Sequence, residues 1–278
     1  MSIPFRKTRL PARKWLLASS LIAAALAVAC RPSGAIAADM AMPMKAPAAA
    51  PVYQWSGCYA GINGGGGAIS SNFHTTVDPG TYLGAADAAE VANDGTGSAN
   101  NSLFIGGGQI GCNWQSGTVV AGLEGDFDYF HGNANFNNNT NTLPVLAVPF
   151  NIGQQTTTNY LATVRPRIGI AADRNFAYVT GGVAFTKASY TETYVDGSAP
   201  AGSGVATASK SLTGWVAGAG WEYALTDHWL LRFEYLYAAF SKTGAIGTIA
   251  EPGIGTNTLH GSGDLVMQQA RAGLNFKF

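Results

Sequence analysis

The sequence predicts an all-β fold, an eight-stranded antiparallel up-and-down transmembrane β-barrel, from three observations. The first is the stretch Ser211–Phe240. In it Trp215, Ala217, Ala219, Trp221 and Tyr223 alternate with Val216, Gly218, Gly220 and Glu222. After the break Thr226-Asp227-His228, Trp229, Leu231, Phe233, Tyr235 and Tyr237 alternate with Leu230, Arg232, Glu234 and Leu236. Aromatics this dense, backed by glycine and charges of both signs, suit a lipid-facing exterior around a narrow polar interior better than a soluble sandwich. The second observation is a rhythm in which turns of two or three residues alternate with apolar-poor stretches of twenty or more. The third is that, beyond the N-terminal segment, no apolar run approaches the ~20 residues a membrane helix requires.

The chain begins with a basic stretch, Arg6, Lys7, Arg9, Arg13 and Lys14, then an apolar run Trp15–Ala29 and an A-x-A site at Ala35-Ile36-Ala37. Residues 1–37 therefore read as a secretory signal peptide. A degenerate lipoprotein box ending at Cys30 competes with that site and is the poorer match. Lys+Arg and Asp+Glu number 16 each, but six of the basic residues precede position 32 and no acidic residue does. The exported remainder is thus acidic, which argues against nucleic acid as a partner. Residues 38–54, rich in Ala, Pro and Met without periodicity, read as a flexible periplasmic tail, and Trp55 opens the barrel as an interfacial anchor.

Strands are expected in order. Gly57–Ala68 puts Cys58, Ala60 and Ile62 on one face and Tyr59, Gly61 and Asn63 on the other. Leu103–Gln115 puts Ile110, Cys112 and Trp114 outward, and Ser116-Gly117 turns the chain. Thr118–Tyr129 sends Val119, Ala121, Leu123, Phe127 and Tyr129 out and Glu124, Asp126 and Asp128 in. Thr157–Ala171 directs Arg165 and Arg167 inward, with Pro166 predicting a bulge or kink. Phe176–Tyr190 follows, then the two strands of the aromatic hairpin. Asp264–Phe278 closes the ring, with Arg271, Asn275 and Lys277 inward. Residues 71–102, 130–156, 191–210 and 243–263 read as four long extracellular loops, and the even strand number places both chain termini in the periplasm.

The segments WSGCYAGINGGGG, GGGQIGCNWQSGTVVAGLEGDFDY, RPRIGIAADRNFAYVTGGVAF, GWVAGAGWEYALTDHWLLRFEYLY and ARAGLNFKF are similar to those of the small alphaproteobacterial outer-membrane β-barrel (porin-like) family, which groups with the OmpA-type membrane domain. The resemblance spans about 55–278 and leaves the loops unmatched. The chain departs from it at Cys58 and Cys112, where the family usually has aromatics. It implies an outer-membrane location in a Gram-negative bacterium, implies no ligand, and carries no expectation of a peptidoglycan-binding domain after the last strand. Leu274, Phe276 and Phe278 also resemble the C-terminal signal read by the outer-membrane assembly machinery.

Five inward acids (Glu124, Asp126, Asp128, Glu222, Glu234) face five inward bases (Arg165, Arg167, Arg232, Arg271, Lys277). An eight-stranded barrel leaves room only for side chains, so these should form a salt-bridged lumen network. Trp114, Tyr129, Tyr160, Trp215, Trp221, Trp229, Tyr235 and Tyr237 read as interfacial girdles. Cys58 and Cys112 sit on strands that should be neighbours; a disulfide is permitted, but two free lipid-facing thiols are expected. Gly106–Gly111 matches G-x-G-x-x-G without the following helix a dinucleotide site needs. The four histidines are scattered, and the one suggestive pair, Asp128 with His131, reads as a solvated loop. No cofactor, metal or catalytic residue is expected. The function expected is non-enzymatic, envelope integrity and surface display through long loops. Its partners would be outer-membrane lipid, lipopolysaccharide and the assembly machinery, with the extracellular ligand unknown. A low-conductance porin is the alternative; an outer-membrane enzyme or a soluble secreted β protein ranks below it.

Overall fold

The computed structural model describes residues 52–278, without the side chains of Asn139 and Thr140. The segment expected to be a signal peptide, Cys30 and the expected tail up to position 51 lie outside the described residues. The elements are β1 (Gly57–Val77), α1 (Ala85–Asp94), β2 (Gly97–Ser116), β3 (Val119–Thr142), β4 (Pro149–Ala172), β5 (Asn175–Asp196), β6 (Ser203–Ala224), β7 (Trp229–Glu251) and β8 (Gly255–Lys277). Each strand pairs antiparallel with the next, and β8 returns to β1 through Tyr59↔Lys277 to Val77↔Leu259, closing an eight-stranded barrel.

The four long loops expected from the sequence are largely strand. Each strand runs 20 to 24 residues, about twice the ~9–11 that cross a bilayer. A bilayer would account for only about half of each strand, leaving an upper half that extends past it. Its alternation does not read as membrane strand because its sign is reversed. Beside lipid the apolar groups face outward, as with Phe233 at 48% exposure and Trp221 at 39%, while Glu222 and Arg232 are buried. Above the lipid, water is outside: Ile69, Phe73, Ala134, Tyr190 and Tyr194 turn inward, and Asn72, Asn135 and Thr193 outward.

The reversal coincides with a change in the sheet. β3 shifts register against β4 between Tyr129 and Gly132, β5 against β4 between Thr158 and Ala162, and β7 against β8 between Phe240 and Thr243. Bulges bend and twist the strands that carry them. From this level upward β2 and β3 no longer pair, the last pair being Ile105↔Phe130. β6 and β7 lose pairing between Gly214↔Phe240 and Val205↔Thr248. The hydrogen-bonded ring of the upper barrel is thus interrupted at two seams, between β2 and β3 above Ile105 and between β6 and β7 from Ala206 to Thr213, while β6 and β7 pair again at Ser203–Val205, and opposite walls meet across the interior. Phe73 of β1 meets Tyr190 of β5 at 6.2 Å between ring centroids, and Ser71 of β1 lies 3.3 Å from Thr156 of β4.

No register shift occurs at Pro166, where a bulge was expected. Val164↔Val183 and Arg167↔Thr180 share one register on either side of it, and its carbonyl accepts a hydrogen bond from Thr180 at 2.9 Å. The expected turns are present: Gly117 (φ 62°) after β2 and Asp173 (φ 50°) after β4 adopt the left-handed conformation that Gly and Asp tolerate. Helix α1 falls in a segment expected to be loop. Its AADAAEVAND sequence is a run of helix formers with Asp87 in the first turn, and it buries Asp87, Ala88 and Val91.

Candidate functional site

The interior is filled in three layers. At the periplasmic end Tyr53, Trp55, Val120, Ala171, Phe176, Tyr178, Ala224 and Leu230 form an apolar plug. Trp55 is not the interfacial anchor expected. It is fully buried, donates Nε1–H to the Asp173 carbonyl at 3.0 Å and packs on Phe176 at 5.1 Å. Tyr53, assigned to the flexible tail, is buried beside it, its N–H 3.3 Å from Asp173 Oδ1. Once the charged residues faced inward, a ring below them had to exclude water, and only the closed barrel shows that the incoming segment supplies it.

The second layer is the charge network. Arg165 from β4 reaches Glu124 (2.7 Å), Asp126 (2.8 Å) and Glu234 (3.2 Å). Arg232 from β7 grips Glu124 with both terminal nitrogens at 2.6 Å and meets Glu234 at 2.5 Å. Arg271 from β8 holds Asp128 (2.5 Å), Asp126 (3.0 Å) and Glu234 (2.7 Å). Arg167 pairs with Glu222 at 2.6 Å and lies over the Tyr59 and Tyr178 rings at 4.7 and 5.0 Å. Tyr59 donates to Glu124 and Tyr178 to Glu234. All nine of these charged side chains are buried. Paired, hydrogen-bonded charges are the form in which such groups survive burial. Glycines leave space for them: a Cβ on Gly107 would come within 2.4 Å of Asp128, and one on Gly182 within 3.1 Å of Arg165 Cγ.

Lys277 was expected in this network and is not in it. It sits at the periplasmic rim, half-buried, its Nζ donating to the Gln54 carbonyl and lying 4.6 Å from the Tyr53 ring centre. The last inward position of a closing strand is at the mouth of the barrel, too far down to reach the acids. The balance is therefore five acids against four arginines, with Tyr59, Tyr178 and Thr163 adding neutral donors.

The third layer is the core of the upper barrel, capped by α1. Ile69, Phe73, Leu83, Val91, Leu143, Ile152, Tyr190, Tyr194 and Leu259 belong to it. Two buried carboxylates are met there by neutral donors. Glu192 accepts from Gln154 (3.0 Å) and Tyr190 (2.9 Å). Asp196 accepts from Tyr194 at 2.8 Å, from the N–H groups of Ser198 and Gly202 at 3.0 Å, and from Tyr82 just ahead of α1. Burial raises the Asp196 carboxyl, but the Ser198, Tyr82 and Tyr194 hydrogen bonds outweigh it and leave it below its ordinary value. The alternation Tyr190-x-Glu192-x-Tyr194-x-Asp196 carried this signal in the sequence.

Cys58 and Cys112 are joined in a disulfide, not free as expected. The β1–β2 register sets them directly opposite, Cα atoms 4.0 Å apart. Asp128 and His131 do not come together: Asp128 is buried against Arg271, whereas His131 is exposed. Leu274, Phe276 and Phe278 all face outward, with Phe276 packed on Trp229 at 5.2 Å. Of the expected girdle residues, Trp114, Trp221 and Trp229 are exposed near the periplasmic turns, and Tyr129, Trp215 and Tyr235 farther up.

A family model described as an outer membrane protein beta-barrel domain matches residues 35–278. The chain belongs to the outer-membrane β-barrel family. It is similar to the 31 kDa outer-membrane immunogenic protein of Brucella melitensis, 32% identical over 88% of this chain and 94% of that one. It is similar also to the 25 kDa outer-membrane immunogenic protein of Brucella canis, 25% identical over 85% of each. Among solved structures it resembles the outer membrane protein OprG of Pseudomonas aeruginosa, with a TM-score of 0.33 and 13% identity over 81% of this chain and 98% of that one. Its family and its Brucella relatives make it an outer-membrane protein of a Gram-negative bacterium.

Proposed function

We propose that this barrel is a non-enzymatic, non-conducting membrane anchor that carries a rigid β-structured head at the cell surface and contributes to envelope integrity. The observation that supports this is the filled interior: an aromatic plug, an ion-paired layer and an apolar core lie one above another. A path for solutes would have to displace all three. The relatives' description as immunogenic outer-membrane proteins suits a surface-displayed head. Lipopolysaccharide would surround the barrel where the exposed Lys187 and Lys242 can meet its phosphates. The assembly machinery would engage the outward Leu274, Phe276 and Phe278 during insertion. The test is conductance of the purified protein in planar bilayers. No step conductance is expected; reproducible steps that shift when Arg271 is replaced would establish the porin instead.

A further inference from the structure

The two seams of the upper barrel differ in a way that singles one out. Along the first, Gly97–Phe104 of β2 pair with β1 on one side, and Gly132–Asn138 of β3 pair with β4. Among the described residues neither stretch pairs with the other. What spans this seam is side chains: Asn101 Nδ2 donates to Asn133 Oδ1 at 2.5 Å, and the Phe136 ring covers Gly97. Along the second seam, Ala206–Thr213 of β6 lack partners in β7, but pairing resumes at Ser203–Val205. Exposed Lys210 and Lys242 flank that seam, and a bulge interrupts β7 there. Lysines and bulges are how proteins protect an open strand edge from unwanted pairing. The β2 edge, Gly-Ser-Ala-Asn-Asn-Ser-Leu-Phe, has no charge, no proline and no register shift.

The residues whose backbone faces the open side can be named. Cys58 and Cys112 are directly opposite with Cα atoms 4.0 Å apart, the close spacing of a pair that exchanges no hydrogen bonds. In keeping with this, the Cys58 carbonyl bonds instead to Phe278 N–H, on the other side of β1. Cys112 therefore directs its N–H and C=O away from β1. The β1–β2 register is unbroken up to Phe73↔Gly97, so Ser98, Asn100, Ser102 and Phe104 do the same. Four successive donor–acceptor sets thus line an edge whose residues Ser98, Asn100, Ser102 and Phe104 are all exposed, Phe104 to 90%.

We propose that the β2 edge from Ser98 to Phe104 is a docking site for an extended, uncharged polypeptide strand of a partner protein, which adds antiparallel to β2 and extends the sheet β7-β8-β1-β2. Only another extended backbone supplies donors and acceptors at the alternating spacing this edge presents. The amide and hydroxyl groups of Asn100 and Ser102 offer a charged strand no counter-ion. The proposal rests on the display reading above, because it needs this edge outside the membrane.

The probe is a biotinylated peptide of the sequence HGNANFNN, residues 131–138 of this chain, the segment β2 would meet if its register with β3 continued. It is titrated against the full barrel, disulfide intact, in detergent micelles. Saturable binding is expected. It should weaken about tenfold or more when alternate peptide amides are N-methylated, since each net hydrogen bond lost is a fraction of a decade or more. Asn100→Pro/Ser102→Pro removes two edge donors without breaking the β1 ladder and should weaken binding to the same degree. Asn100→Ala/Ser102→Ala should bind like the parent, and heat-modifiable gel mobility establishes that each variant is folded. Absence of binding to the folded parent, equal binding of the N-methylated peptide, or equal loss in the alanine variant would each overturn the proposal. So would amide exchange in the unliganded barrel showing Ser98, Asn100, Ser102 and Phe104 already protected, or micellar dimers abolished by the proline pair, which would assign the edge to a second copy. A barrel that conducts yet binds the peptide would sink the non-conducting anchor and leave this site standing; a silent barrel that ignores the peptide does the reverse.

Discussion

Replacing Arg271 by methionine should destabilise the barrel more than replacing Arg165, although Arg165 is the more deeply buried of the two. The reason is what each leaves behind. Without Arg165, Glu124 keeps Arg232 at 2.6 Å, Asp126 keeps Arg271 at 3.0 Å, and Glu234 keeps both at 2.5 and 2.7 Å. Without Arg271, Asp126 and Glu234 likewise keep Arg165, but Asp128 loses its only guanidinium partner among the described residues. Stranding a buried charge costs about 3–5 kcal/mol, and Arg271→Met should fall in that range. Arg165→Met should cost nearer the ~1.5–3 kcal/mol of lost charge-assisted hydrogen bonds. Asp128→Asn in the Arg271→Met background should recover about 1–2 kcal/mol, since contacting residues couple by ~0.5–3 kcal/mol. Equilibrium urea unfolding in phosphatidylcholine vesicles, followed by tryptophan fluorescence and gel mobility, measures the parent, the two single arginine variants, Asp128→Asn alone and the double variant. Equal or reversed costs for the two arginines, or strict additivity of Asp128→Asn with Arg271→Met, would show that pairing is not what holds this layer.

Trp55→Ala should cost about 3–5 kcal/mol by removing the centre of the periplasmic plug, read by the same unfolding assay, although the sequence reads Trp55 as an interfacial anchor. Val164 faces lipid, so Val164→Arg should cost about 2–4 kcal/mol, whereas Thr193→Arg on the outer face above the membrane should be neutral within ~0.5 kcal/mol. Removing the disulfide with Cys58→Ala/Cys112→Ala releases a closure of 54 residues and should cost at most about 4 kcal/mol on the chain-entropy account; non-reducing mass spectrometry of the parent checks that the bridge is there to lose. The Asp196 carboxyl is held below its ordinary value of 3.8, so its stabilising effect is complete above that pH and disappears as pH falls through the lower folded value. Proteolysis at Gly197–Gly202 should rise only below about pH 4, and Asp196→Asn should remove that pH dependence.

The sequence by itself determined the strand count, the lipid-facing phase and the inward direction of nine of the ten charges assigned to the lumen network. In the membrane one face of every strand must be apolar, and Trp221 against Glu222 shows that phase in two adjacent residues. It did not reveal the upper barrel, because the apolar face changes sides where lipid gives way to water. The same alternation then reads as polar loop, as Tyr190 to Asp196 did. The tertiary structure alone decided who meets whom: that Trp55 returns into the barrel as its plug, that Lys277 stops at the rim, and that Cys58 stands directly opposite Cys112. It alone decided, too, that β2 and β3 part above Ile105. Register and closure are properties of the assembled ring, set by bulges and by sums of contacts between distant segments, and no local pattern in one strand records them.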